Sequence, residues 1–463
     1  MKGITLIILG IIFWGNSNNV INACNTTVTV QEKDTFLNDL KHRTFNYFWD
    51  LHDSITWQTP DRYPTKIFTS IAATGFGLAA YIVGIENKYI SRQQGVERVL
   101  NTIKWLHNSV QGSDSTGATG YKGFYYHFLT YKQGLRYKNV ELSTIDTGWL
   151  MAGILTCQSY FDGNTEEEKQ IRNLADSLYL RVDWNWAMNG QEFMSMGWHP
   201  EDGFINAHYL GYSEAMMLMI LSLGSPTHAT PDSTWNSYCK NYKWADFYGY
   251  QHLNFEPLFG HQYSHMFIDF REIYDPYIQQ KGIDYFENSR RATLANRAYC
   301  IKNPMNFNAY SDSIWGLTAC DGPIDSQLPF KGNKVQFYTY RARGASIQAI
   351  VDDGSIAPTA AGGSIPFTPD ESLQALMAMK KTYGEKLYQQ YGFKDAFNPS
   401  YITDEFPQGW FDKDYIGLDQ GPIVIQIENY QTGLIWNLMK KNKYIVNGLK
   451  KAGFKGGWLE NHI

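Results

Sequence analysis

Stretches of helical length in this chain alternate between two kinds, and that alternation limits the folds open to it. Phe68 to Ile85, with its Ile-Ala-Ala-Thr-Gly-Phe-Gly-Leu-Ala-Ala core, is small and apolar on most sides, as a helix enclosed by neighbours must be. Asp34 to Leu51 differs: Phe36, Leu40, Phe48 and Leu51 recur at near-helical spacing with charges between them. Ser91 caps a second amphipathic helix whose Val96, Val99, Leu100, Ile103 and Leu106 form one stripe. The alternation continues with apolar Asp146 to Tyr160, then charged Thr165 to Val182, whose acids stand at the favourable end of the helix dipole. Glu214 to Leu223 is apolar, Pro231 to Phe247 polar and aromatic, His261 to Ile273 inner in character and Tyr285 to Ile301 outer. Glu371 to Lys386 and Gly421 to Lys441 resume the helical pattern. Apolar helices alternating with amphipathic ones predict an all-α fold, an (α/α)6 toroid in which an outer ring wraps an inner one. The break near 303–369 predicts a small irregular or β insertion, with Val335 to Tyr340 as a short strand pair over the toroid mouth.

No Pro-, Gly- or Ser-rich linker divides the 463 residues. Residues 1–23 read as a signal segment: a basic start, an apolar run from Ile4 to Trp14 too short to span a bilayer, then a polar run. Ile21-Asn-Ala-Cys24 loosely matches a lipobox, so the expectation is an exported protein, periplasmic or held at the outer membrane through a lipid on Cys24. Residues 24–33 are then a linker and 34–463 a single catalytic domain, expected to be a monomer. The four remaining cysteines show no CxxC spacing, which points to neither a metal knuckle nor a disulfide framework. A net charge of −5 with scattered Lys and Arg leaves no basic face for nucleic acid. Aromatics make up 16% of the chain, and rings with polar tips suit a wet concave site that stacks on sugars.

Carboxylates stand where polar lead-ins turn into apolar helices. Glu141 and Asp146 flank the start of one, and Glu214 precedes Ala-Met-Met-Leu-Met-Ile-Leu at another. Cleaving a glycosidic bond needs one carboxylic acid to protonate the leaving oxygen and a second carboxylate to activate water or attack the sugar. The acid must stay protonated near neutrality, which an apolar wall can arrange. Glu214, beside His208, Tyr209 and Tyr212, fits that part, with Glu141 and Asp146 as partners, although Asp146 could equally cap its own helix. Asp321 in a turn, Asp419 and Gln420 before Gly421-Pro422, and Glu428 on the last apolar helix are candidates for sugar hydroxyls. Tyr125, Tyr126, His127, Trp315, Arg341 and Arg343 are candidates to line the cleft. His261 and His265 have the i, i+4 spacing of a zinc helix, but Gln262 stands where the glutamate base belongs, so no metal is expected. Dinucleotide, Walker and nucleophile-elbow signatures are incomplete or missing, and hydrolysis by paired carboxylates requires no cofactor.

Several stretches together carry a resemblance. Thr44-Phe-Asn-Tyr-Phe-Trp49, Ser70 to Gly77, Gly120 to Phe128, Glu141 to Asp146, Gly316 to Pro323, Ile356 to Ala361, Tyr391 to Phe397 and Gly417 to Pro422 are similar, in collinear order, to the glucoamylase-like family of bacterial proteins. Members resembling this chain are assigned to glycoside hydrolase family 144, endo-β-1,2-glucanases of (α/α)6 fold. The resemblance implies a hydrolase cutting inside linear β-1,2-glucan, with Glu141 as a functional carboxylate, and inversion is expected because such toroids commonly invert. Three alternatives stay open: a non-catalytic surface glycan-binding protein on the same fold, a hydrolase of another glucan linkage, and a polysaccharide lyase.

Overall fold

The computed structural model describes residues 29–462. The segment read as a signal and the cysteine read as a lipid anchor therefore lie outside the described residues. The helices run in the order α1 (Val30–Asp50), α2 (Ile71–Glu86), α3 (Arg92–Asn108), α4 (Thr144–Tyr160), α5 (Glu166–Leu180), α6 (Met216–Gly224), α7 (Thr234–Cys239), α8 (Phe259–Phe267), α9 (Pro276–Gln279), α10 (Tyr285–Lys302), α11 (Pro358–Gly362), α12 (Pro369–Tyr383), α13 (Gly417–Thr432), α14 (Leu434–Met439) and α15 (Lys443–Lys451). Among the described residues none is long and apolar enough to cross a membrane.

Local chemistry sets the helix starts. Thr29 with Glu32, and Ser91 with Gln94, each form a reciprocal capping box, and Thr165 accepts from the Glu168 amide at the acidic start of α5. Helices apolar on all sides lie inside: every residue of α2 from Ile71 to Gly84 and all nine of α6 are buried. Around the inner ring α13 packs on α2, α2 on α4, α4 on α6 and α6 on α8. Gln262 of α8 donates to the Ala360 carbonyl of α11 at 2.7 Å, and α11 packs on α13, which closes the circle. Amphipathic α1, α3, α5, α10 and α12 cover it from outside. The sixth outer position, against α6, is filled by α15. The structure is thus a double helical ring, as the alternation predicts.

A close crossing joins α2 to α4, and two glycines permit it. A Cβ on Gly75 would lie 2.4 Å from the Trp149 carbonyl oxygen, and one on Gly153 would lie 2.0 Å from that of Gly75. Larger side chains would force the two helices apart.

The predicted insertion appears as antiparallel pairs, Ala319–Asp321 with Tyr340–Ala342 and Ser326–Phe330 with Asn333–Phe337. Arg343, fully buried, anchors it by a two-pronged contact to Asp353 at 2.7 and 2.8 Å. Strand also occurs where none was expected. Gly120–Tyr121, Phe124–Tyr126, Leu142–Ser143, Gly197–His199 and Gly203–Phe204 form a five-stranded antiparallel sheet. The segment expected as a helix from Pro231 to Phe247 keeps only six helical residues. It then turns into a hairpin, Trp244–Phe247 with Tyr250–Leu253, through Tyr248 and Gly249, both at positive φ.

Candidate active site

Strand residues end immediately before three inner helices: Thr69–Ser70 before α2, Leu142–Ser143 before α4 and Tyr415–Ile416 before α13. These short pairings stitch helix mouths together and bring the acids of their flanking loops to one end of the ring. On one side, Tyr125 pairs with Ser143 and Tyr126 with Leu142. The next step of that register sets His127 opposite Glu141, whose carbonyl accepts from the His127 amide at 3.0 Å. His127 Nδ1 meets Glu141 Oε1 at 2.8 Å, and Nε2 lies 3.6 Å from Asp146 Oδ1. Burial alone would lower the His127 pKa, but the charges of Asp146 and Glu141 outweigh it and push the ring up to about 9. Glu141 responds oppositely: burial works to raise it, yet the His127 contact holds it below the ordinary glutamate value. Asp146, in the first turn of α4, is raised by burial while Ser143 both donates to its carboxylate and caps its amide.

Glu214 occupies the turn before α6. Tyr238 pins that turn by accepting from the Ser213 amide and donating to its carbonyl, both at 3.0 Å, and Ser264 Oγ donates to the Glu214 carbonyl at 2.8 Å. The Glu214 side chain lines a cavity of about 280 Å³ together with His208, Tyr209, Tyr212, Asn254 and Glu256. Its Oε2 is enclosed and has no hydrogen-bond partner among the described residues. Burial, helped by the Asp146 charge, pushes this carboxyl from 4.5 up to about 7, so a large share of it carries a proton at neutrality.

A second acidic group faces the same end. Arg62 pairs with Ile416 in a short ladder and reaches Asp61 Oδ2 at 3.0 Å and Asp321 Oδ2 at 2.6 Å. The Asp321 amide donates to Asp395 Oδ2 at 2.7 Å. Asp395 and Asp412 flank a hairpin in which Phe397 pairs with Phe411, and Asp419 joins them from the first turn of α13. One oxygen each of Asp395, Asp412 and Asp419 is enclosed and meets no N–H or hydroxyl donor among the described residues, and Asp395 and Asp419 are close enough to share a proton. Burial and mutual repulsion raise all three, Asp419 to about 7 and Asp412 to about 8, so the group carries protons at neutral pH. Asp321, Asp395 and Asp412 also offer oxygens within 4.8 Å of one another, a spacing that could hold a cation. Beside them Tyr263, Phe259 and the 60% exposed Tyr340 border a cavity of about 110 Å³. Burial raises the Tyr263 hydroxyl well above its ordinary value, helped by the charges of Asp419 and Glu214.

The structure thus brings together Glu214, Glu141, Asp146, His127, His208, Tyr212, Asp321 and Asp419 around the mouth. Other candidates lie elsewhere. Tyr125 is buried with its hydroxyl on the Leu106 carbonyl and on Arg181. Trp315 is enclosed in the core beneath the insertion, and Gln420 spends its amide on the Phe393 carbonyl at 2.8 Å. Arg341 is exposed and stacks over Tyr338 instead of facing the acids. Glu428 is nine residues beyond Asp419, about 13 Å along the helix axis. There it forms a buried ion pair with Lys41 at 2.7 Å, and Lys41 also donates to Asn87 and Gln431. His261 and His265 are buried against the Phe255 carbonyl and Ser289 respectively. Asp61, Arg62, Tyr263, Asp395 and Asp412 escaped the sequence reading. Asp395 stood within a stretch carrying the family resemblance, but nothing in its local pattern marked it as a site residue.

A curated Parabacteroides distasonis protein, an exo β-1,2-glucooligosaccharide sophorohydrolase acting at the non-reducing end, is 28% identical over 94% of this chain. The chain spans 60% of that relative's length. The endo-β-1,2-glucanase of Chitinophaga pinensis, solved with sophorotriose and glucose, is 29% identical, covering 92% of this chain and 99% of its own, with a TM-score of 0.79. A Bacteroides fragilis NCTC 9343 structure is 31% identical, covering 94% of this chain and 99% of its own, with a TM-score of 0.80. The family described as "Putative glucoamylase", whose words the Bacteroides fragilis structure also bears, matches residues 206–443, and this chain belongs to it.

Proposed function

We propose that the chain is a glycoside hydrolase that cleaves internal bonds of linear β-1,2-glucan with inversion, Glu214 being the proton donor. One observation carries this reading: a carboxyl held near pKa 7 lines an open cavity with its enclosed oxygen unsatisfied. The β-1,2-glucan activities named for the Chitinophaga and Parabacteroides proteins supply the linkage. Glu214 passes its proton to the glycosidic oxygen as the bond to the anomeric carbon breaks. An ionised carboxylate takes a proton from the water that attacks that carbon. Glu141, kept ionised by His127, is the first candidate for the base. A second reading gives that task to the ionised fraction of Asp419, favoured by its place on the cavity that Phe259 and Tyr263 border.

The test is a product assay on linear β-1,2-glucan with wild type, Glu214→Gln, Glu141→Gln and Asp419→Asn, each first shown to unfold cooperatively and to melt no lower than wild type. Wild type should give a ladder of oligosaccharides whose fresh reducing ends are α by proton NMR. Glu214→Gln should lose about 10²–10⁴-fold in turnover. Whichever of the other two variants falls comparably identifies the base. Release of disaccharide alone would make the enzyme exo-acting, and no product at high enzyme concentration would reject the substrate.

A further inference from the structure

The groups flanking His127 impose a requirement on it. A neutral imidazole has one N–H and one bare nitrogen. Here a carboxylate oxygen stands at each ring nitrogen: Glu141 Oε1 at 2.8 Å from Nδ1, within hydrogen-bond range, and Asp146 Oδ1 at 3.6 Å from Nε2, a longer ionic contact. Either neutral tautomer would turn a lone pair toward one of those oxygens. The ring also has little freedom to escape. Its backbone amide is held by the Glu141 carbonyl at 3.0 Å, its own carbonyl accepts from Ile71 at the start of α2 at 3.3 Å, and its plane lies on Phe128 with centroids 4.0 Å apart. At this residue the strand changes partners, from Leu142–Ser143 before α4 to Thr69–Ser70 before α2. The ring therefore sits at a joint between two inner-helix mouths.

We propose that His127 is a positioning residue, a standing imidazolium clamp that fixes Glu141 and Asp146 relative to each other and keeps Glu141 ionised. This rests on the hydrolase reading for its consequence but not for its existence. The groups that face the ring are Glu141 and Asp146, with Asp61 contributing a weaker negative charge from the bend just before the Arg62–Tyr63 strand. All three are acidic, and the cations nearby, Arg62 on Asp61 at 3.0 Å and His199 beside Glu141, act on those carboxylates. Burial opposes the charge, and the two close carboxylates outweigh it. Without the clamp, two acids would confront each other across the gap the ring now fills. Each would hold its proton to higher pH.

Two measurements test this. The first needs no substrate: carbon-13 labelled histidine in the full chain, with the His127 resonance assigned by its loss in His127→Gln. The Cε1–H shift should stay that of imidazolium up to at least about pH 8, whereas an ordinary histidine titrates near ~6.5. A midpoint at or below that ordinary value overturns the clamp even if the enzyme cleaves β-1,2-glucan as proposed. The second compares pH–rate profiles of wild type and folded His127→Gln. The acidic limb should move up by about one pH unit and kcat fall by about tenfold or more, with KM within about threefold. An unmoved acidic limb in a folded, active variant also overturns it. If no glucan is cleaved by wild type, the hydrolase reading fails while the NMR titration still decides the clamp.

Discussion

Replacing Glu214 by glutamine should stabilise the protein, and only above mildly acidic pH. In the native state the carboxyl titrates near 7, against 4.5 in an ordinary setting. Between those values the folded chain holds a proton that the unfolded chain has released, so the unfolded state binds fewer protons and stability falls as pH rises. Each pH unit in that window is worth about 1.4 kcal/mol. Wild type therefore loses up to about 3 kcal/mol between pH 4.5 and 7, after which the loss is complete. Glutamine cannot ionise and is close to the shape of the protonated acid. The variant should match wild type near pH 4.5 and exceed it by up to about 3 kcal/mol at pH 8. Urea unfolding of both proteins, followed by tryptophan fluorescence at pH 4.5, 5.5, 6.5 and 8, measures the gap directly. A gap constant across pH, or one that widens toward acid, would refute the argument that burial holds this proton.

Two further outcomes follow from the helical frame. Gly153→Ala should cost about 1–3 kcal/mol or more, because its methyl would collide with the α2 backbone at Gly75; an unchanged urea midpoint would contradict the close crossing. Lys41→Met should cost about 3–5 kcal/mol by leaving Glu428 buried and unpaired, whereas Lys41→Met with Glu428→Leu should recover most of it; equal losses in single and double variants would show that the pair itself, not the stranded charge, matters.

The ring of helices was legible because each helix announces its surroundings. Ser91 and Thr165 mark helix starts by their capping chemistry, and the difference between Ser70–Val83 and the stripe from Val96 to Leu106 tells inside from outside. Helix α15 was missed although Asn442 caps it, since nine residues give too little periodicity to stand out. Pairs of two-residue strands leave no periodic trace at all, so the stitching of helix mouths was invisible. The site divided along the same line. Glu214, Glu141, Asp146 and Asp419 were found because they adjoin helix starts, whereas Asp61, Asp395 and Asp412 lie on loops that only the tertiary fold gathers. Glu428 and Gln420 illustrate the converse error. Both share an inner helix with Asp419, but axial distance takes the first away from the mouth and a backbone carbonyl engages the second.

The position of α15 bears on how such a ring is made. Gly448 of α15 comes so close to α6 that a Cβ there would lie 2.0 Å from the Ile220 carbonyl oxygen, and one on Gly224 of α6 would lie 2.2 Å from that of Tyr444. Ribosomes deliver α6 more than two hundred residues before its partner. Throughout that interval the apolar outer side of α6 lacks the helix that covers it. Synthesis can lay down most of the circle in order, but the outer cover of α6, the helix that follows Glu214, is added only after the rest of the ring.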